Sequence, residues 1–341
     1  MSKCDIVIPV WNQLEITKVC LKSICENTHI EYRLILIDNA SDKETKDYLE
    51  AFNAEAGPEV TLIRNEKNLG ALKALNQGMR LSNAEFVCLL NNDTEVTEGW
   101  LAEMLKVAEA REDIGAVNPN SNTLGCKPKK GQSLQSVAQE LRPYSGKWSE
   151  LGSSSGFCML IKRKVIQQAG LFDEIYGMGY FEDADYSKRV QQLGYLCVCA
   201  TAAYIYHHEK SSFIKFKEFD QNFRRNRQIF HSKWGRPQRL LYVLTKDDLA
   251  HKERIRAESL KLARQGNVVW MFLKGEDRLE YKTHSNIYVY KLQEVFFNLI
   301  SFWRILKRKK KFDKIYVENE GYGKILNTLK FFHKAEVIYV Q

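Results

Sequence analysis

The stretch Tyr32-Arg33-Leu34-Ile35-Leu36-Ile37-Asp38-Asn39-Ala40-Ser41-Asp42 decides the fold. Its apolar run is short and rich in branched side chains, so it reads as a buried strand. It stops abruptly at a polar cluster of the kind that opens a helix, and a polar helical segment continues towards Phe52. Working outward, the same unit recurs. Upstream, Cys4-Asp5-Ile6-Val7-Ile8-Pro9-Val10 is a strand, followed by helical spacing at Ile16, Val19, Leu21 and Ile24. Downstream, a strand at Val60 to Arg64 leads through Asn65-Glu66-Lys67-Asn68-Leu69-Gly70 into a helix from Ala71 to Leu81. A fourth strand, Glu85 to Leu90, stops at Asn91-Asn92-Asp93. Strands alternating with helices at this pitch predict an α/β domain with a Rossmann-like, mostly parallel sheet wound by crossover helices. Ligands in such open sheets bind beyond the carboxyl ends of the strands. Asp38, the segment 65–70 and Asp93 each follow a strand, so three loops are expected to converge on one crevice. Taken singly, each is as readily a helix cap or a turn.

Residues 118–152 lose periodicity and are rich in Asn, Ser, Gly, Lys and Pro, which predicts a long mobile loop or an irregular insertion over the site, as lids often are. An apolar run, Gly156 to Ile161, then leads through a helix at Arg163 to Ala169 and Gly170-Leu171-Phe172-Asp173-Glu174 to the densest acidic cluster of the chain. That cluster is Gly177-Met178-Gly179-Tyr180-Phe181-Glu182-Asp183-Ala184-Asp185, opening a helix to about Leu193. Carboxylates at a helix start are favoured by its dipole alone. The glycines before them point instead to a loop of close approach, where a carboxylate can take a proton from a hydroxyl. Asp183 is the expected base. A last strand, Leu196 to Tyr206, delivers His207-His208, and alternation puts the two rings on opposite faces. Neutral imidazole suits a manganese-type ion, and Asp93 beyond its strand suits a hard cation that neutralises a leaving diphosphate. A capping aspartate and a surface histidine pair remain the alternatives.

After Trp234-Gly235-Arg236-Pro237 the pattern restarts. Strands are expected at 240–245, 268–273, 287–290, 314–317 and 336–340, with helices at 252–264 and 294–306. We therefore divide the chain into a first domain, 1–235, and a smaller α/β domain, 236–341. The first holds 29 basic and 30 acidic side chains and the second 22 and 12, so the net charge of +9 comes entirely from the second. Such asymmetry favours an anionic partner. The cluster Lys307-Arg308-Lys309-Lys310-Lys311 follows Phe296, Phe297, Ile300, Phe302 and Trp303. Two readings are open: an amphipathic helix lying on an anionic membrane surface, or a core helix with a solvated basic end. Nucleic acid is not expected as a partner, because the basic residues interleave with no recognition module. The eight cysteines form no Cys-x-x-Cys pair, and the Met-Ser-Lys start shows no secretory leader. No apolar run approaches a bilayer span. The expected location is the cytoplasm, free or peripheral at the inner face of the membrane.

Several segments together resemble glycosyltransferase family 2. They are Ile-Val-Ile-Pro-Val-Trp-Asn from Ile6, Ile-Asp-Asn-Ala-Ser-Asp from Ile37, Asn-Glu-Lys-Asn-Leu-Gly from Asn65 with Asn76 and Gly78 beyond, and Leu-Leu-Asn-Asn-Asp-Thr from Leu89. They continue with Gly-Phe-Cys-Met-Leu-Ile-Lys-Arg from Gly156, Gly-Leu-Phe-Asp-Glu from Gly170 and Phe-Glu-Asp-Ala-Asp-Tyr-Ser-Lys-Arg from Phe181. They stand in the family's order over roughly residues 4–212, and their joint match is specific. The resemblance, closest to bacterial surface-polysaccharide enzymes, implies a GT-A fold, a nucleoside-diphosphate sugar donor, a glycan or lipid-linked oligosaccharide acceptor, and inversion by direct displacement. It implies donor-nucleotide positions at Pro9, Asp38, Asn68 and Asn92. It also implies Mn²⁺ or Mg²⁺ on Asp93 and His207, with His208 as the alternative, and catalysis by Asp183 with Glu182. Asn91 replaces the first aspartate of the family's metal motif, removing one charge from the site. The second domain lies outside this resemblance; its segment 240–273 is similar to part of the amino-terminal half of a GT-B enzyme, too little for a second active site. The competing functions are a nucleotidyltransferase, against which stands the lack of a Gly-rich phosphate loop, and a non-catalytic nucleotide- or glycan-binding scaffold.

Overall fold

A computed structural model describes residues 3–56, 59–209, 219–246, 248–275 and 283–340. The last positions of the family resemblance, 210–212, lie outside them. The chain divides into two compact units, residues 1–149 with 153–234, and 150–152 with 235–341.

In the first unit the succession is β1 (Cys4–Val10), α1 (Leu14–Asn27), β2 (Tyr32–Asp38), α2 (Lys43–Ala56), β3 (Val60–Arg64), α3 (Ala71–Leu81), β4 (Phe86–Leu90), β5 (Thr94–Val96), α4 (Trp100–Glu109) and β6 (Ile114–Ser121). It continues with α5 (Leu134–Leu141), β7 (Trp148–Glu150), β8 (Cys158–Lys162), α6 (Arg163–Ala169), α7 (Glu182–Gln192), β9 (Leu196–His207) and α8 (Phe219–Trp234). The sheet runs β3-β2-β1-β4-β8-β6-β9-β5, with β7 off this path on β9. Strands β1 to β4 are parallel, as are β6 and β9, whereas β8 runs antiparallel to both its neighbours and β5 to β9. Strand order reverses about β1, with β2 and β3 on one side and β4 on the other. A crevice therefore opens at the carboxyl ends of β1 and β4. The inward side chains of β1, β2, β4, β8 and α4 form one continuous core around Ile6, Ile8, Leu36, Leu90, Trp100 and Leu160. Gly78 of α3 lets that helix lie close on β1, since an added Cβ would stand 2.2 Å from Val7 Cγ1.

The expectation of a long mobile loop at 118–152 is corrected. Strand β6 carries the sheet to Ser121, a short 3₁₀ turn covers Asn122–Leu124, and α5 is capped by Ser133, whose hydroxyl accepts from Ser136 N. Its apolar signal is weak because α5 buries only Val137 and Ala138 in its core-facing stripe, against Tyr204. The end of β6 meanwhile buries polar side chains that are satisfied internally, Asn118 and Ser121 among them. The segments forming β5, α4 and α8 have no counterpart in the sequence-based expectation.

In the second unit, β10 (Arg239–Leu244), α9 (Leu249–Arg264), β11 (Val268–Lys274), β12 (Ile287–Leu292), α10 (Phe297–Lys307), β13 (Lys314–Val317), α11 (Glu320–Thr328), α12 (Lys330–His333) and β14 (Glu336–Tyr339) follow in turn. All five strands are parallel, in the order β12-β11-β10-β13-β14. Helix α9 closes one face over Leu240, Tyr242, Met271 and Leu273. Helices α10 and α11 close the other over Leu241, Val243, Phe272, Ile315 and Val317. No helix among the described residues is long and apolar enough to cross a membrane.

Candidate active site

Beyond β4, Asp93 faces the end of β9, and its Oδ1 lies 3.2 Å from His207 Nε2. Antiparallel pairing of β5 with β9 sets this meeting, with Thr94 opposite His207. Asn122 fixes the backbone there: its Oδ1 accepts from His207 N at 2.8 Å and its Nδ2 donates to His207 O at 2.9 Å. One amide side chain thus replaces the strand that β9 lacks at this point. Phe157 stacks on the imidazole, ring centroids 5.0 Å apart and planes 15° from parallel. His208 goes elsewhere, its Nε2 3.3 Å from Glu95 Oε2 and its ring edge-on to Tyr206. The structure brings Asp93 to His207 and not to His208.

The second cluster opens α7. Asp183 Oδ2 accepts from Gly156 N at 3.1 Å and Oδ1 from Ala184 N at 2.7 Å. Burial raises the Asp183 carboxyl above the ordinary range, against the lowering effect of these backbone donors. Glu182 is pushed up to about 8, by burial first and then by the charge of Asp183. Its Oε2 is buried without a hydrogen-bond partner among the described residues. Gly156 and Phe157 join the two clusters: one donates to Asp183, the next stacks on His207, and Phe157 O accepts from Asn91 N at 2.8 Å. This junction is held from β6 by the buried Asn118, which donates to Ser155 O at 2.8 Å and to Cys158 O, and accepts from Ser155 N at 3.2 Å.

The turn that aims α7 is strained. Tyr180 and Phe181 have φ of 73° and 72°, a region that bulky residues rarely occupy. Such conformations cost on the order of 1–3 kcal/mol each and persist only where neighbours over-determine them. Asn226 of α8 is fully buried, and its Nδ2 donates to Tyr176 O at 2.7 Å, Gly179 O at 2.8 Å and Tyr180 O at 3.3 Å. Phe223 packs on both strained rings and Phe230 on Phe181. The end of α8 also grips Asp185. Burial alone would raise that carboxyl, but hydrogen bonds from Lys233, Trp234 and Arg189 outweigh it and hold it below the ordinary value. Sequence reading finds Glu182 and Asp183 from local composition. It misses Asn118, Asn122 and Asn226, whose backbone partners lie 37 to 85 positions away and leave no local trace.

The remaining positions lie at or beyond the ends of β1 to β4. Asp38 is buried, with Oδ1 accepting from Ser41 N at 2.9 Å and Oδ2 paired with Arg64. Its carboxylate ties the loop after β2 to the end of β3. Asn68 Oδ1 accepts from Asn39 Nδ2 at 2.7 Å and from Gly70 N at 2.8 Å, so Asn39 links the loops carrying Asp38 and Asn68. Pro9 is half-buried near the end of β1. Asn92 turns to α1, donating to Thr17 Oγ1 at 2.9 Å.

The pair Asp93 and His207 suits a hard or borderline divalent cation. Carboxylate oxygen and imidazole nitrogen are donors such ions accept. Two neighbouring ligands of an octahedral ion with bonds of about 2.1 Å stand roughly 3 Å apart, close to the 3.2 Å seen here. No group of three or more His, Cys, Asp or Glu side chains able to hold a metal occurs among the described residues.

A crevice at the strand-order reversal, flanked by these carboxylates, belongs to the GT-A class of α/β folds. The first unit has that fold. Among solved structures, the chain is similar to GalNAc-T7 bound to UDP, GalNAc and Mn²⁺, at 16% identity and a TM-score of 0.53 over 69% of this chain and 50% of that one. Residues 5–170 match glycosyl transferase family 2, and the chain carries a glycosyltransferase domain of that family. An uncharacterized protein of Sinorhizobium fredii, y4gI, is 26% identical over 226 residues, 61% of this chain and 24% of its own length. The undecaprenyl-phosphate 4-deoxy-4-formamido-L-arabinose transferase of Serratia proteamaculans is 27% identical over 124 residues, 35% of this chain and 38% of its own. The chain spans less than half the length of the first curated relatives it matches.

Proposed function

We propose that the first unit transfers a sugar from a nucleoside diphosphate to a hydroxyl of a glycan or lipid-linked acceptor, inverting the anomeric carbon. The observation that carries this reading is the junction at Gly156-Phe157, which sets a raised-pKa carboxylate beside an aspartate–histidine pair. Asp183 is the base: it takes the acceptor proton as the hydroxyl oxygen bonds to the anomeric carbon and the bond to the diphosphate breaks on the opposite side. The Gly156 N–H fixes one of its oxygens. Glu182, protonated near neutral pH at a pKa of about 8, adds no second negative charge beside the base. Asp93 and His207 would hold Mn²⁺ or Mg²⁺, which would supply charge neutralisation for the leaving diphosphate. The loops holding Pro9, Asp38, Asn68 and Asn92 surround the nucleoside.

The test pairs binding with turnover. Thermal stabilisation by one family of nucleoside diphosphates, dependent on Mn²⁺ or Mg²⁺ and abolished by chelator, is expected for the wild type and for Asp183→Asn alike. Turnover of the matching nucleotide sugar falls by about 10²–10⁴-fold in that variant. Unchanged turnover removes Asp183 from the reaction, and no stabilisation by any nucleotide favours the non-catalytic scaffold.

A further inference from the structure

The two sequence readings of the segment before the basic cluster turn out to describe two sides of one helix. At about 100° per residue, Phe297, Ser301 and Ile305 of α10 fall on one side, and all three are buried in the second unit's core. Phe296, Leu299 and Trp303 fall on the opposite side and are 54%, 70% and 56% exposed. A helix needs one apolar stripe to join a core, and the second stripe has no such use. Helix α12 packs beside α10 and adds Phe331 and Phe332, 84% and 59% exposed, while its His333 is buried.

The surroundings of this ridge are cationic. Lys307 Nζ stands 4.5 Å from the centre of the Trp303 ring, at the end of the exposed stripe. Lys309 and Lys310 follow at the helix end, and Lys330 and Lys334 flank the two phenylalanines, all exposed. Among the described residues none of these five lysines has an acidic partner, whereas the neighbouring Lys314 and Lys324 are paired with Glu336 and Glu320. The free positive charge is thus concentrated where the aromatic side chains project.

We propose that the α10 and α12 face of the second unit docks on an anionic lipid leaflet. Phe296, Leu299, Trp303, Phe331 and Phe332 would enter the boundary between headgroups and acyl chains, and the lysines would meet lipid phosphates. Aromatic side chains beside basic ones are the composition that interfacial helices use, and each lysine near an anionic surface adds to the attraction. A second copy of this chain is disfavoured as the occupant, because two such faces would oppose like charges. The surface lies outside the family 2 domain, so the proposal stands or falls separately from glycosyl transfer.

The test is cosedimentation of the full chain with phosphatidylglycerol–phosphatidylcholine vesicles at low salt, with pure phosphatidylcholine as control. Pelleting is expected with the anionic vesicles alone and is reversed by high salt. Leu299→Ser with Trp303→Ser and Phe331→Ser, all at exposed positions, should weaken binding by about tenfold or more. Lys307→Gln with Lys309→Gln and Lys310→Gln should do the same. Circular dichroism and the thermal midpoint of each variant should match the wild type. No pelleting of the wild type overturns the proposal, as does pelleting unaffected by the apolar substitutions in a folded variant. A wild-type dimer that Trp303→Ser dissociates would reassign the face to self-association.

Discussion

Glu182 holds a carboxyl oxygen in a buried place where, among the described residues, nothing donates to it, and burial, with the charge of Asp183, raises its carboxyl well above the usual range. The unfolded chain releases the carboxyl proton near its ordinary value of 4.5, the folded chain near 8. Between these values the folded state binds more protons, so this group makes the protein less stable as pH rises through the window. We expect the wild type to lose urea resistance between about pH 5 and about pH 8, and Glu182→Gln, which carries no titratable proton, to lose less of it. A slope identical in the two proteins would show that Glu182 titrates near its unfolded value. Asp183→Asn should lower the Glu182 pKa, because the charge that helps to raise it is gone, and carboxyl NMR reads this directly. Asn226 works at the same scale by a different route. Its amide donates to three carbonyls of the turn whose strained residues precede Glu182. Asn226→Ala leaves those buried acceptors unmet, and denaturant titration should show a loss of about 1–3 kcal/mol. If its work is to aim α7, kcat falls while donor KM holds; a purely structural role lowers stability alone.

Among the elements, β1, β2 and α3 are legible in the sequence for a plain physical reason. The two strands are buried along nearly their whole length and so read as continuous apolar runs, and α3 buries one periodic face and begins and ends at Ala71 and Leu81 as its spacing predicts. Helix α8 is not legible: most of its side chains are polar, and it is held by Asn226, Lys233 and Trp234 reaching back to the loop before α7 and to Asp185. The segment 118–152 misleads because Asn118, Ser121 and Asn122, which read as loop composition, are spent on internal hydrogen bonds. For the site, Asp93, Glu182 and Asp183 announce themselves as carboxylates at element ends. That His207 rather than His208 meets Asp93 depends on strand register, which sequence alone does not supply. The Asn122 clamp on the end of β9 leads to a prediction. Asn122→Ala frees the backbone of His207 without touching its ring, and loss of a group that orients a ligand lowers metal affinity by about 10–100-fold. Mn²⁺ titration followed by electron paramagnetic resonance measures it. Affinity equal to the wild type would mean that the stacked Phe157 ring suffices to place His207.

At the scale of the whole chain, each unit has hydrophobic core clusters of its own. The net charge is divided as unequally as the chemistry, with the carboxylate clusters in the first unit and the surplus lysine and arginine in the second. A chain built this way has no reason to unfold in one step, since two-state behaviour belongs to single cooperative cores. We expect calorimetry to show two transitions. The proposed donor site is built wholly from the first unit, and a ligand that binds only the folded form stabilises the unit it binds, by about 2.7 kcal/mol at a hundredfold excess over Kd. Nucleoside diphosphate with Mn²⁺ should therefore raise one transition and leave the other in place. Anionic vesicles, acting through α10 and α12, should affect the transition that nucleotide leaves alone. If a single transition moves as a whole with nucleotide, the two cores unfold together, and the role of the basic unit must then be sought in support of the transferase domain rather than in docking alone.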